Sequence, residues 1–82
     1  MSLGERIAII RRNKGISQAF IAGKLGKTSA WLSNIEKGRR DIGAKELNQV
    51  AEVMDVEIGE FFKEKLNEEL SSNLNPTGTT GN

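Results

Sequence analysis

Apolar residues recur at intervals of three or four through residues 3–54, the spacing that places side chains on one face of an α-helix. Ser2 and Glu5 stand three residues apart at the start, as in a capping box, where each side chain accepts a hydrogen bond from the other residue's backbone N–H. The pattern predicts a first helix that runs to about Asn13 and is ended by Gly15. Its inward stripe would consist of Leu3, Ile7 and Ile10.

A second, shorter helix is predicted after Ser17, a residue type favoured as a helix N-cap. Either Phe20 or Ile21 would face inward in this helix, and Gly26 would end it, because glycine adopts the left-handed conformation of a helix C-terminus without strain. The other inward positions of this helix would be Ala22 and Leu25.

Two more helices follow. Either Thr28 or Ser29 would cap the third helix, which Gly38 would close, and the fourth would begin near Ala44. No segment alternates apolar and polar residues as a half-buried strand does, so the pattern predicts an all-α fold. The inward positions of these two helices would be Leu32, Ile35, Leu47, Val50, Ala51 and Met54.

Apolar residues at intervals of four continue after residue 56 and predict a fifth helix that extends beyond a compact four-helix unit. The stripe at Phe62, Leu66 and Leu70 would either contact a second copy of the chain or fold back onto the chain's own core. Residues 71–82 are polar and contain the chain's only proline, so a disordered tail is expected after a domain at 1–70.

Composition excludes several functions. A chain of 82 residues holds one small domain, and its apolar runs are far shorter than the roughly 20 residues of a membrane span, so we expect a cytoplasmic protein that does not enter membranes. Cysteine and histidine are both absent, which removes the usual metal ligands and nucleophiles. No enzyme activity, metal or cofactor is expected.

Charge is divided unevenly along the chain. Residues 1–40 contain nine Lys or Arg and two Glu, whereas residues 41–82 contain three Lys against nine Asp or Glu, although the formal net charge is only +1. A basic half suits contact with a polyanion such as nucleic acid, and a solvated charged surface is the alternative.

The outward face of the predicted third helix is unusually small. Helical spacing places Ala30, Ser33, Asn34 and Lys37 on the side opposite Leu32. Exposed helix faces normally carry long charged side chains, so a face of Ala, Ser and Asn allows a large partner to approach closely. The major groove of DNA, about 12 Å wide, admits one such helix. An ordinary exposed face of weak helix propensity is the alternative.

The segment GISQAFIAGKLGKTSAWLSNIEKGRRDIGAKELNQVAEVMDVEIGEFF, residues 15–62, resembles the helix-turn-helix domain of the phage repressor and Cro (XRE) family. The resemblance extends from about Leu3 to Phe62 and implies a five-helix, lambda-repressor-like fold with a C-terminal helical extension. The matching positions are Ser17, Gln18, Ala22, Gly26, Leu32, Ile35, Glu36, Gly38, Leu47, Val50, Ala51 and Val56.

The resemblance implies that the third helix is a recognition helix in the major groove of double-stranded DNA. The residues at base edges would then be Ser29, Ala30, Ser33 and Asn34. None of them is the Arg or Lys that most often contacts guanine, whereas Asn34 suits adenine and Ala30 suits the thymine methyl group. A half-site rich in A·T pairs is therefore expected.

The resemblance also assigns roles to polar residues around that helix. Gln18 would bind a phosphate or steady a base-reading side chain, and Arg11 would form a structural ion pair with Glu36. Trp31 would contact a phosphate through its indole N–H or serve packing alone. The remaining phosphate candidates, for which solvated charge is the alternative, are Lys27, Lys37, Arg39 and Arg40.

Two functional classes are compatible with these features. The first is a sequence-specific transcriptional regulator, most simply a small repressor. It would form a homodimer through Phe62, Leu66 and Leu70, and the dimer would bind a near-palindromic operator. The second is an antitoxin or anti-regulator whose acidic half binds a protein partner.

Overall fold

The computed structural model describes residues 1–62 and confirms an all-α fold in this part of the chain. These residues form four α-helices and one 3-10 helix, and they form no strand. No helix within residues 1–62 is both long and apolar enough to cross a membrane. The elements are α1 Leu3–Asn13, α2 Gln18–Lys24, α3 Ser29–Glu36, α4 Ala44–Met54 and the 3-10 helix Ile58–Phe62.

Hydroxyl side chains cap the N-termini of the first three helices. The capping box of Ser2 and Glu5 is present at α1, with Oε1 of Glu5 accepting from the Ser2 N–H at 2.8 Å. Ser17 caps α2 and Thr28 caps α3, each accepting from the backbone N–H three residues later. Gly43 precedes α4 and has no side chain to cap it. Local sequence therefore sets where α1, α2 and α3 begin.

One backbone motif ends all four α-helices. At each C-terminus a backbone N–H two or three positions past the last helical residue bonds back to the carbonyl five positions earlier, as Arg39 N–H does to Asn34 O at 2.9 Å. The motif needs one residue with positive φ, and glycine supplies it after α1, α2 and α3. After α4 the residue is Asp55, at φ 59°, because aspartate tolerates this region better than most side chains.

The core draws residues from every element. Ile21 rather than Phe20 faces inward in α2, since Ile21 is fully buried and Phe20 is 51% exposed. The buried apolar cluster consists of Ile7, Ile21, Leu32, Ile35, Leu47, Val50, Ala51, Met54 and Phe61.

The segment 58–62 is a 3-10 helix and not the start of the α-helix that the sequence predicted there. In a 3-10 helix, side chains three residues apart lie on one side, so Ile58 and Phe61 both reach the core while Phe62 stays 61% exposed. Arg6 of α1 secures the segment by donating from Nε to the Glu60 carbonyl at 3.3 Å. The predicted continuation through Leu66 and Leu70, and the predicted tail at 71–82, lie outside the described residues.

A buried glycine sets the distance between α1 and α3. Gly4 lies directly against the backbone of Ile35 and Glu36, and a Cβ at Gly4 would overlap the Ile35 carbonyl oxygen. Because the obstacle is backbone, no side-chain rotation relieves the overlap. The first turn of α1 therefore touches the last turn of α3 only because residue 4 has no side chain.

Gly4→Ala is expected to lower the free energy of unfolding by about 2 kcal/mol, since overpacking outweighs the gain of about 1 kcal/mol in helix propensity. Urea unfolding followed by helical circular dichroism measures the change. Gly23→Ala is the matched control, because a Cβ there meets nothing within 4 Å and should raise stability. Equal effects of the two substitutions would contradict the close approach.

Candidate nucleic-acid interface

One face of α3 is buried in the core, and the opposite face is open to solvent in its first turn and half-open in its second. Leu32 and Ile35 hold the helix to the core with exposed fractions of 0% and 2%. On the other side Ser29 and Ala30 are exposed, and Ser33 and Asn34 are half-buried. The residues expected at base edges thus retain open surface on a helix that the core fixes from behind.

Basic side chains lie at both ends of α3. Lys27 precedes the Thr28 cap, and Lys37, Arg39 and Arg40 follow the last helical residue, all four exposed. The backbone bond from Arg39 to Asn34 folds the chain sharply at this point, so the two arginines leave immediately beside the C-terminus of α3. Cations placed in this way can contact the phosphates that border a groove, which orients a protein without selecting a sequence.

Trp31 occupies the flank of α3. Its half-buried ring packs against the core cluster, and the ammonium of Lys27 lies 5.6 Å from the ring centroid. The contact is a cation–π interaction across four residues of the chain. Trp31 therefore has a packing role, and its ring also holds a cation beside α3.

A second lysine–aromatic pair lies on α2 and was not foreseen from the sequence. The Lys24 ammonium is 5.4 Å from the ring centroid of Phe20, whose side chain the core leaves exposed. The spacing of four residues on a helix could have indicated this contact. The sequence left the inward residue of α2 undecided between Phe20 and Ile21, which obscured it.

A buried ion pair joins α1 to α3. Arg11 Nε donates to Glu36 Oε2 at 2.7 Å and Arg11 Nη2 donates to Glu36 Oε1 at 3.0 Å, with side-chain exposures of only 11% and 3%. Arg11 Nη1 also donates to the Ile16 carbonyl in the α1–α2 loop at 2.8 Å. These are the two residues that the family resemblance pairs.

Gln18 belongs to the same network. Its Nε2 donates to Glu36 Oε1 at 2.8 Å, so the first residue of α2 is bonded to the last residue of α3. The family resemblance implies that Gln18 binds a phosphate or steadies a base-reading side chain, and it implies no bond to Glu36. Helical spacing could not reveal this contact, because it depends on how α2 and α3 cross.

Of the three residues expected at a dimer contact, the structure describes only the first. Phe62 is exposed at the end of the 3-10 helix, whereas Leu66 and Leu70 lie outside the described residues. Among residues 41–62, Lys45 stands against six acidic residues. The acidic half of the chain thus begins after α3 and its basic flank.

Comparison with known proteins agrees with this geometry. A family model described as a helix-turn-helix domain matches residues 4–66, most of the chain. An uncharacterised HTH-type transcriptional regulator of Sinorhizobium medicae is 31% identical over 62 residues, which cover 76% of this chain and 45% of that protein. Another from Sinorhizobium fredii is 32% identical over 62 residues, 76% of this chain and 43% of that protein.

The chain spans less than half the length of these curated relatives. No solved structure matches it significantly. The family match covers α1 to the 3-10 helix, the same elements that carry the capped helix pair α2–α3 and the buried Arg11–Glu36 pair. The chain therefore belongs to the helix-turn-helix family, of the phage repressor and Cro (XRE) type.

Proposed function

We propose that the protein is a sequence-specific DNA-binding transcriptional regulator that inserts α3 into the major groove. The observation that carries the proposal is the outer face of α3, where exposed Ala30 lies between basic residues at both helix ends. A small apolar side chain there lets the helix approach base edges, while Lys27, Lys37, Arg39 and Arg40 meet phosphates on either side. The HTH-type regulators named above support the same role.

In this proposal the base-contacting residues are Ser29, Ala30, Ser33 and Asn34. None is basic, so α3 lacks the side chains that most often recognise guanine. Asn34 offers the bidentate amide that pairs with adenine, and the methyl group of Ala30 suits the thymine methyl group. The operator half-site is therefore rich in A·T pairs where α3 contacts it.

We further propose that the protein acts as a dimeric repressor. A single domain of this size presents too small a surface for tight specific binding, and proteins of this class place two recognition helices on half-sites about 34–36 Å apart. Phe62 is exposed at the end of the described residues, and Leu66 and Leu70 follow it in the sequence at intervals of four. Two such domains on a near-palindromic site repress most simply by occupying a promoter.

Selection of bound duplexes from a random-sequence pool tests the function. The protein should enrich a near-palindromic site with A·T pairs at the contacted positions, and Ala30→Glu should abolish enrichment because its carboxylate faces the groove. Asn48→Glu, which adds the same charge on the exposed face of α4, is the control and should bind normally. Enrichment of no sequence by the unaltered protein would contradict the proposal and favour a protein-binding role.

Substitution of a base-contacting residue and of a phosphate-contacting residue should change the salt dependence of DNA binding differently. Asn34→Ala should weaken binding to the selected site by about 1–3 kcal/mol and relax the preference at one base pair per half-site. Lys37→Gln should weaken binding to all duplexes alike and reduce the slope of log K against log salt by about 0.9 per subunit, because one fewer counterion is released. Fluorescence anisotropy titrations at several salt concentrations measure both, and interchanged signatures would contradict the assignment.

The dimer contact has its own test. Leu66→Glu with Leu70→Glu should shift the mass in solution from dimer to monomer and weaken binding to the palindromic site. Asn67→Glu with Ser71→Glu adds equal charge one position off the stripe and should leave the dimer intact. Light scattering gives the mass, and an unchanged mass with undiminished DNA binding in the Leu66 and Leu70 variant would refute the dimer contact.

A further inference from the structure

A groove runs along one flank of α1 and reaches the end of α3. Within it Ala8 is 4% exposed, and Ile9 is half-buried without packing against the core cluster that Ile10 contacts. Met1 extends this apolar surface and is 62% exposed. The rest of residues 1–62 therefore leaves an apolar strip of α1 open to solvent. The groove is lined by Met1, Glu5, Ala8, Ile9, Arg12 and Glu36.

Opposite charges lie at the two ends of this strip. Helical spacing places Glu5 and Arg12 on the same face as Ala8 and Ile9, with Glu5 near the start of α1 and Arg12 near its end. Both charged residues are exposed, and about 10 Å along the helix axis separates them, so they do not pair with each other. Within residues 1–62 the Arg12 guanidinium has no hydrogen-bond or ion-pair partner.

This order of acidic end, apolar centre and basic end is complementary to itself. If a second α1 lies antiparallel against the first, each Glu5 meets the partner's Arg12 and each Ala8 meets the partner's Ile9, because both pairs are centred midway between residues 8 and 9. A two-fold axis through that point makes every contact twice, as in an isologous interface. The small Ala8 leaves room for the larger isoleucine opposite. Glu5 keeps its bond to the Ser2 N–H, since a carboxylate accepts hydrogen bonds at both oxygens.

We propose that this flank of α1 binds α1 of a second copy of the chain in antiparallel orientation. Two Glu5–Arg12 ion pairs flank an apolar centre of Ala8 and Ile9. The contact is distinct from the dimer contact proposed above and does not depend on DNA binding. One pair of three-turn helices buries less than the roughly 1,200 Å² of a small stable interface, so free copies associate weakly. Copies held on neighbouring duplex sites have a high effective concentration and are linked by the same contact.

Disulfide trapping tests the orientation, because the chain contains no cysteine of its own. In the Glu5→Cys/Arg12→Cys variant the two thiols of one chain are about 10 Å apart on the helix, beyond the roughly 7 Å between Cα atoms that a disulfide spans, so only a bond between chains forms. Oxidation with copper phenanthroline should convert most of this variant to covalent dimer on a non-reducing gel. Glu5→Cys alone and Arg12→Cys alone are the controls and should give little dimer, because identical residues lie far apart in an antiparallel pair.

Charge reversal tests the ion pairs. In the Leu66→Glu/Leu70→Glu background, which removes the other proposed contact, sedimentation equilibrium measures association through α1. Either Glu5→Arg or Arg12→Glu should weaken association roughly tenfold, because two attractions become repulsions, and the two substitutions together should restore it. Lys14→Glu, exposed just past α1 and outside the groove, changes charge as Arg12→Glu does and should have no effect. Circular dichroism verifies that each variant is folded, and damage to α1 alone would not produce the restoration.

Three results would overturn the inference. The double-cysteine variant could form no more dimer than the single-cysteine controls, or reversal of both charges could fail to restore association. Ile9→Cys with Leu66→Cys could also form a disulfide within one chain, which would mean that the chain's own later residues occupy the groove. Neither experiment contains DNA, so their outcome is separate from that of the proposed function.

Discussion

The buried contact between Arg11 and Glu36 is the interaction on which the arrangement of the helices depends. Removing one member of such a pair leaves an uncompensated buried charge, which costs about 3–5 kcal/mol, whereas the intact pair contributes little net stability because both groups lose hydration. Its importance is geometric. It joins the end of α1 to the end of α3, with side-chain exposures of 11% and 3%, and so fixes α3 at its C-terminal turn.

A second constraint acts on the same two helices. Gly4, at the start of α1, lies against the backbone of Ile35, while Arg11, at the other end of α1, binds Glu36. The two helices therefore meet near both ends of α1. At Gly4 the lack of a side chain allows close backbone contact, and at Arg11 the ion pair joins the helices. Because α3 is anchored from behind in this way, its outer face is free to be small and polar.

The basic residues differ in burial according to where they lie. The basic residues at the ends of α3 are exposed, whereas the basic residue that faces inward, Arg11, is neutralised by Glu36. Lys27 lies over Trp31 and Lys24 over Phe20, so two of the cations near the turn are held by aromatic rings. A surface with oriented cations loses less side-chain entropy on meeting a polyanion, which suits the DNA-binding role proposed here.

The sequence by itself determined the four α-helices and most of their ends, although it left Thr28 and Ser29 as alternative caps of α3 and offered no cap for α4. Ser2, Ser17 and Thr28 mark starts, and Gly15, Gly26 and Gly38 mark stops, because capping and positive φ are properties of a few neighbouring residues. The family resemblance added the pairing of Arg11 with Glu36, and the spacing within α3 separated its inner and outer faces.

Only the tertiary structure decided the contacts that depend on how the helices cross. It placed Ile21 and not Phe20 in the core, made residues 58–62 a 3-10 helix, brought Gly4 against α3 and bonded Gln18 to Glu36. Glutamine at position 18 and glutamate at position 36 are 18 residues apart, and no local periodicity relates them. Local rules fix elements, whereas the partner of a polar side chain is fixed by the packing of elements that are distant in the chain.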